Sequence, residues 1–341
     1  MGNGLLAMSV VLVRAVHRVS RFIVAGGLTA YILWKIHPRA VLAAGTGADW
    51  RPIGIAILLV LADRALMAYR WVVLLCTVEP ASRPPLADVM RIFFVSTFVG
   101  TFLPASVGGD AVRAYSLAKL GIRTEDAVAS VFMDRILGVA SVVAMAVIGL
   151  TFARDIAGNR AILFALTAAA AVCVATVLLI FNQPAAAMAT HLVGRLPLRT
   201  MVHAGHRVLE AIRRYASYPG PLVNVLICSM AVQGLRIVQA YYLGRGLGID
   251  AAVDAYIAFV PIILLVMLLP VTFNGIGTSQ AAFVWFFTRV GVPAASAFAL
   301  SLLFVALGIV GNLPGAFLFV TGPGDSRGRG QADETLDSVS E

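Results

Sequence analysis

Apolar runs alternate with short polar links along most of this chain, the pattern of helices laid across a bilayer. Runs at about 53–75, 126–153, 160–181, 220–244 and 295–320 are each long enough to span. A shorter run, 22–36, follows a basic leader, residues 1–21, and reads as an uncleaved first helix because no small-residue cleavage site follows it. Six full spans are therefore expected. Two further apolar stretches are broken. One, 89–103, runs into Pro104 and Gly108-Gly109 before a short helical stretch at 111–120; the other, 254–290, carries Pro270, Gly275 and Gly277. Helix-breaking backbone at membrane depth survives only when buried in protein or lining a wet cavity. Both stretches are therefore expected to be re-entrant helical hairpins.

The polar links fit this division. The loop 37–51 is weakly charged, and 77–87 holds Pro80, Pro84 and Pro85. Thr124 can cap the next span, with Glu125 and Asp126 in its first turn. Residues 184–217 mix Arg195, Arg199, Arg207, Arg213 and Arg214 with Leu, Val and Ile, as an amphipathic cytoplasmic segment would. The tail, 321–341, has a disordered composition. Composition agrees: 60% of residues are hydrophobic and 13% charged, with a mean hydropathy of +0.91. Soluble domains carry about 25% charged residues. The fold class is an all-α, polytopic membrane helix bundle, with residues 22–320 as its transmembrane domain.

The two broken stretches echo each other. Leu103-Pro104 and Leu269-Pro270 each precede a glycine, Gly109 or Gly275, by the same spacing; Gly121 and Gly138 are spaced like Gly291 and Gly308. About four extra residues interrupt the second copy. Paired, interrupted hydrophobic segments in corresponding positions point to a transporter binding site. The formal net charge of +9 is mostly arginine in short loops, which is topological information rather than a nucleic-acid footprint. With both termini cytoplasmic, the 195–214 cluster falls inside, and the hairpins enter from opposite faces as in an inverted repeat.

Charges inside apolar runs are costly and default to functional candidates. Asp63, Arg64 and Arg70 lie in the second span, where Asp63 and Arg70 share a face; an intramembrane ion pair and a substrate path are both open. Asp134 and Arg135 lie in the first third of the third span, and Arg236 lies mid-span. Asp110 and Arg113 share a helical face after Gly108 and Gly109. An arginine held by a carboxylate beside exposed backbone N–H groups makes an anion site. Asn274, Gly275, Gly277, Thr278, Ser279 and Gln280 supply uncharged donors at the second break, or simple capping. Cys76, Cys173 and Cys228 are far apart in apolar runs and read as small hydrophobes; the five histidines form no metal-binding pattern. No cofactor is implied.

The run F-L-P-A-S-V-G-G-D-A-V-R-A-Y-S-L, residues 102–117, resembles the P…GGD..R…L signature of the lysylphosphatidylglycerol synthase transmembrane (flippase-like) family. R-W-V-V-L-L at 70–75 is similar to its R-W..L-L element, and N-G-I-G-T-S-Q-A-A-F at 274–283 to its late G-G-x-G-x-x-E-A-A element. The resemblance covers about 10–320. Gln280 stands where the family has Glu, Asn274 where it has Gly, and Met133-Asp134-Arg135 where Glu-Arg is common. The resemblance implies a protein of the cell inner (cytoplasmic) membrane that translocates or handles anionic or isoprenoid lipids. About 21 residues follow the last span, so the soluble aminoacyl-transferase part of the bifunctional members is not expected here.

Three functions follow. The first is a non-enzymatic, flippase-like lipid transporter, with Arg113, Asp110, Gly108 and Gly109 holding a headgroup at one mouth. In it, residues 274–280 serve the other mouth, and Arg236 and Arg64 line the path. The second is an intramembrane glycosyl- or acyl-transferase whose base must be Asp63, Asp110 or Asp134. The third is a non-catalytic membrane partner of a separate lipid-modifying enzyme. The expected partners are membrane lipids.

Overall fold

The computed structural model describes residues 47–78, 84–102, 107–152, 160–182, 184, 188, 199–268 and 275–321. The leader, the run at 22–36, most of the 184–198 segment, Pro104, Asn274 and the tail beyond Thr321 lie outside the described residues. Ten α-helices occur among the described residues: α1 (Trp50–Val78), α2 (Leu86–Phe102), α3 (Val107–Lys119), α4 (Thr124–Phe152), α5 (Arg160–Phe181), α6 (Arg199–Arg214), α7 (Pro219–Gly246), α8 (Val253–Leu268), α9 (Thr278–Phe287) and α10 (Ala294–Thr321). The chain is an all-α membrane bundle. Four of these helices, α1, α4, α7 and α10, are long and apolar enough to cross a membrane.

The interrupted stretches form two helical pairs, α2–α3 and α8–α9. At 1.5 Å per residue, 17-residue α2 rises about 25 Å and 10-residue α9 about 15 Å. A bilayer core is about 30 Å thick, so neither crosses alone. The first hairpin is closed by contact of backbone on backbone. A β-carbon on Gly109 would lie 2.7 Å from the Ser96 carbonyl oxygen and 3.2 Å from the Gly100 Cα. Only glycine permits that approach.

The packing repeats. α2 packs on α10 as α8 packs on α4; α3 lies beside α4 as α9 lies beside α10; α1 and α7 form the most extensive pair. Even the tight contacts have counterparts. Gly149 of α4 meets the Ile257 carbonyl of α8, and Gly315 of α10 meets the Phe94 carbonyl of α2. α1 and α7 are antiparallel. The Asp49 amide donates to the Gly246 carbonyl at one end, while Arg70 reaches Ser229 at the other. The α2–α3 hairpin starts where α1 ends, and α8–α9 starts where α7 ends. The two hairpins therefore enter from opposite ends of the bundle.

One detail of the repeat differs from the sequence spacing. Gly121 and Gly291, which end the hairpins, both have positive φ (88° and 82°) and fix the alignment. Asp110 and Gln280 then correspond, each eleven residues ahead of its glycine. Gly109 therefore has Ser279 as its counterpart, not Gly275. Gly109 lies in the first turn of α3, whereas Gly275 precedes α9; the extra residues of the second copy lie between α8 and α9 in the sequence.

The second hairpin is set in an aromatic cluster. Phe283 stacks on Phe287, and Phe287 meets Tyr256 and Phe259 edge-on. These rings bury large apolar area in specific geometries and join α8 to α9. At the far end, α6 lays Ala211 and Ile212 against Ala129 and Met133 of α4. Asp126 of α4 bridges Arg123 and Arg214 there. The amphipathic segment is thus a helix over Arg199–Arg214, docked by one apolar face and one ion pair.

Candidate functional site

The intramembrane charges converge. A cavity of about 270 Å³ lies between the α2–α3 hairpin and helices α1, α4 and α7. Its wall includes Arg64, Arg70, Arg113, Arg135 and Arg236, with Asp110 and Asp134. A second chamber of about 250 Å³ adjoins it and shares Arg64, Thr101, Arg236 and Asn312 with the first. Asp63 and Gln239 line only the second.

Helical spacing explains the convergence. Ser229, Gln233 and Arg236 recur at three and four residues on α7, hence on one face; Ser96 and Gly100, or Thr97 and Thr101, do the same on α2. On α1, Arg64 and Arg70 reach opposite halves of the bundle. Arg64 donates to the Gly308 carbonyl of α10 at 3.3 Å. Arg70 lies over Gly138 of α4, where a β-carbon would stand 3.6 Å from a guanidinium nitrogen. The two spacing-matched glycines, Gly138 and Gly308, each make room for an arginine.

The ion pairs differ from those the spacing predicts. Asp110 does not hold Arg113. It takes a two-pronged bridge from Arg135, at 2.6 and 3.0 Å. Arg113 instead reaches Asp134 at 3.4 Å and Ser96 Oγ at 3.4 Å. The pairs cross because α3 and α4 are antiparallel, which sets Asp110 against Arg135 and Arg113 against Asp134. Asp134 also accepts from Arg70 at 2.7 Å. Asp63 and Arg70 share a face but do not pair. Asp63 lies 3.3 Å from Arg64 and 3.4 Å from Arg236.

Arg113 is buried in the cavity wall. Its guanidinium lies between the Trp71 ring (4.8 Å) and the Phe93 ring (4.6 Å). A desolvated cation over indole gains about 2 kcal/mol. This sandwich accounts for the Arg70-Trp71 pair in the sequence: Arg70 grips Asp134 while its neighbour stacks on Arg113.

The second predicted cluster lies elsewhere. Gly275, Gly277 and Gln280 line neither chamber. The Gln280 side-chain oxygen accepts from the Gly277 amide and the Ser279 hydroxyl. These residues cap α9, satisfying N–H groups that a helix start leaves open. The wall of the two chambers is built mainly from the first hairpin and the long helices. Gly108 is half-buried in the first turn of α3, and Asn274 lies outside the described residues.

Six uncharged polar residues of the chamber walls were not among the predicted site residues: Ser96, Thr97, Thr101, Gln233, Gln239 and Asn312. Asn312 donates to Thr101 Oγ1 at 2.8 Å, tying α10 to the hairpin near its tip. An amide inside an apolar span is the signal that could have found Asn312, as it does for charged residues. Asp63, read from the sequence as an ion-pair partner, a path residue or a candidate base, belongs to the wall of the second chamber.

The excess of positive charge defines what the cavity can do. Among the described residues, five arginines and three aspartates stand around the two chambers. Arginine does not lose its proton in proteins, so two positive charges are left over. Buried polar atoms also lack hydrogen-bond partners there: Asp63 Oδ1, Arg64 Nε, Gln233 Oε1, Gln239 Nε2 and Asn312 Oδ1. An anionic, hydrogen-bonding guest fits such a wall.

No curated protein matches this chain. Residues 18–315 of the 341 match the family described as the lysylphosphatidylglycerol synthase TM region. The match spans α1 to most of α10, including both hairpins and every cavity arginine, and so the chain belongs to the lysylphosphatidylglycerol synthase transmembrane-region family.

Proposed function

We propose that this protein moves an anionic lipid across the cell inner membrane, holding the phosphate of its headgroup in the central cavity. The observation that carries this reading is the surplus of two arginine charges, among the described residues, around the central cavity. Burying uncompensated charge is expensive, and a phosphate relieves it by accepting forked hydrogen bonds from arginine. A site near mid-membrane, flanked by broken elements entering from both ends, is the arrangement of alternating-access transporters. The arginine-rich α6 and the start of α4 lie at the end where α1 finishes. Positive-inside bias puts that end in the cytoplasm.

The carboxylates favour transport over group transfer. Asp63, Asp110 and Asp134 are each bound in an ion pair with arginine, the geometry of a charge pair between helices rather than of a carboxylate aimed at a substrate proton. Proteoliposomes carrying a headgroup-labelled anionic phospholipid test the reading. The wild type should move the label between leaflets. Arg236→Ala should slow it by about tenfold or more, the expected loss for a charged hydrogen bond of roughly 1.5–3 kcal/mol. An unchanged rate in a folded variant rejects the role.

A further inference from the structure

The second chamber differs in chemistry from the first. Apart from Arg64 and Arg236 at the boundary, its polar lining is Asp63, Thr101, Gln239 and Asn312. The rest includes Val60, Leu264, Phe304 and Ile309. A phosphate bound among the cavity arginines would leave this space beside it, and the two chambers together fall within the ~300–1,000 Å³ usual for small-ligand sites.

The unpartnered atoms specify what fits. Asp63 Oδ1 and Asn312 Oδ1 are acceptors, and Gln239 Nε2 is a donor. Asp63 and Gln239 are 1% and 3% exposed. Asp63 Oδ1 faces Arg236 Nε at 3.4 Å without a hydrogen bond. A hydroxyl donates once and accepts twice, so a polyol satisfies both kinds of atom. A primary ammonium can only donate; it would leave Gln239 Nε2 unmet and stand beside Arg64 and Arg236. A quaternary ammonium makes no hydrogen bonds and seeks an aromatic cage, whereas Phe304 is the one aromatic ring among the described residues of this wall.

We propose that the second chamber is a subsite for a polyhydroxylated group carried on the bound phosphate, so that the ligand is a polyol or sugar phosphate rather than a choline or ethanolamine phosphate. The proposal rests on the central cavity being an anion site. The phosphate sits among the arginines of the first chamber. The hydroxyls reach past Arg64 and Arg236 to Asp63, Gln239 and Asn312, and the aliphatic wall covers the C–H face of the ring or chain.

The test is a binding series on the purified full-length chain in phosphatidylcholine nanodiscs. The soluble probes are inorganic phosphate, phosphocholine, glycerol 1-phosphate and myo-inositol 1-phosphate. The lipid probes are dihexanoyl phosphatidylglycerol and dihexanoyl phosphatidylinositol. Polyol phosphates should bind about tenfold or more tightly than phosphocholine, since two or three hydrogen bonds contribute roughly 1 kcal/mol each. That preference should collapse in Gln239→Leu and in Asn312→Leu. A preference confined to the lipid probes makes a membrane lipid the ligand; one seen with the soluble probes admits a soluble polyol phosphate, and both support the subsite. Equal binding of phosphocholine and the polyol phosphates overturns it, as does a preference that both variants retain. Absence of binding by any of the six probes overturns the anion site and the subsite together, whereas phosphate binding without preference overturns the subsite alone.

Discussion

Arg70 Nε and Asp134 Oδ1 meet at 2.7 Å in the middle of the bundle, with both side chains only 5% exposed. The other oxygen of the same carboxylate faces Arg113. One aspartate thus serves two buried arginines from two different helices, and α1, α3 and α4 are joined at a single carboxylate. Removing one partner of a buried ion pair costs roughly 3–5 kcal/mol, because the remaining charge is left uncompensated. Asp134→Ala should lose at least that much, measured by unfolding in detergent. The double variant Arg70→Met/Asp134→Ala should recover part of it. Strictly additive losses would show that the pair does not couple.

How much of this was legible in the sequence depends on what each residue needed to reveal itself. Charges inside apolar runs announce themselves by cost alone, so Arg64, Arg70, Asp134, Arg135 and Arg236 could be picked without knowing their neighbours. Their pairing could not. Asp110 and Arg113 lie three apart and look like partners, yet α4 runs antiparallel beside α3 and draws each to a different residue. Gly109 lines the cavity, but its second task, the close approach to the Ser96 carbonyl, was not legible, because glycine serves equally for ligand approach and for helix contact. Gln280 left two readings open for a related reason, since capping and ligand binding use the same polar side chains; the structure shows it capping α9. The hairpins themselves were legible. Proline and glycine free backbone groups that lipid cannot satisfy, so a chain broken at that depth must turn back inside the protein.

The Gly109 contact predicts a graded defect. In Gly109→Ala the new methyl would stand 2.7 Å from the Ser96 carbonyl oxygen, so α2 and α3 must separate. Overpacking of this kind costs about 1–3 kcal/mol. Gly234→Ala is the control. Its β-carbon meets nothing within 4 Å, and relief of helical glycine should make it neutral or stabilising by roughly 0.5–1 kcal/mol. Thermal unfolding of the two variants side by side checks the prediction; equal effects would contradict the close contact.

The dock of α6 carries a pH dependence. Tyr215 is buried beside Asp126 and Arg214, and burial first, then the Asp126 charge, pushes its phenol above the ordinary value. A group whose folded value is raised contributes stability that is complete below its unfolded value, about 10, and is lost as pH rises beyond it. The α6 segment should therefore loosen above about pH 10. Hydrogen exchange across 199–217 would report this, and Tyr215→Phe should blunt the response. An identical alkaline profile in wild type and variant would assign it to other groups.

The opposed entry of the hairpins makes the sharpest prediction about topology. Ser116 stands near the end of α3, and Thr288 just past the end of α9. α3 returns to the end of the bundle where α1 finishes, whereas α9 returns to the end where α1 begins, because α7 runs antiparallel to α1. After replacement of Cys76, Cys173 and Cys228, the chain's three native thiols, Ser116→Cys and Thr288→Cys should react with an impermeant maleimide from opposite sides of sealed, right-side-out vesicles. With the arginine-rich end in the cytoplasm, as proposed from the positive-inside bias, Thr288→Cys should label from outside. Labelling of both from one side would mean that one hairpin crosses fully. The hairpins would then no longer enter from opposite ends, and the alternating-access argument would lose its geometric basis. Labelling from opposite sides with the sidedness reversed would keep the inverted repeat and overturn only the orientation.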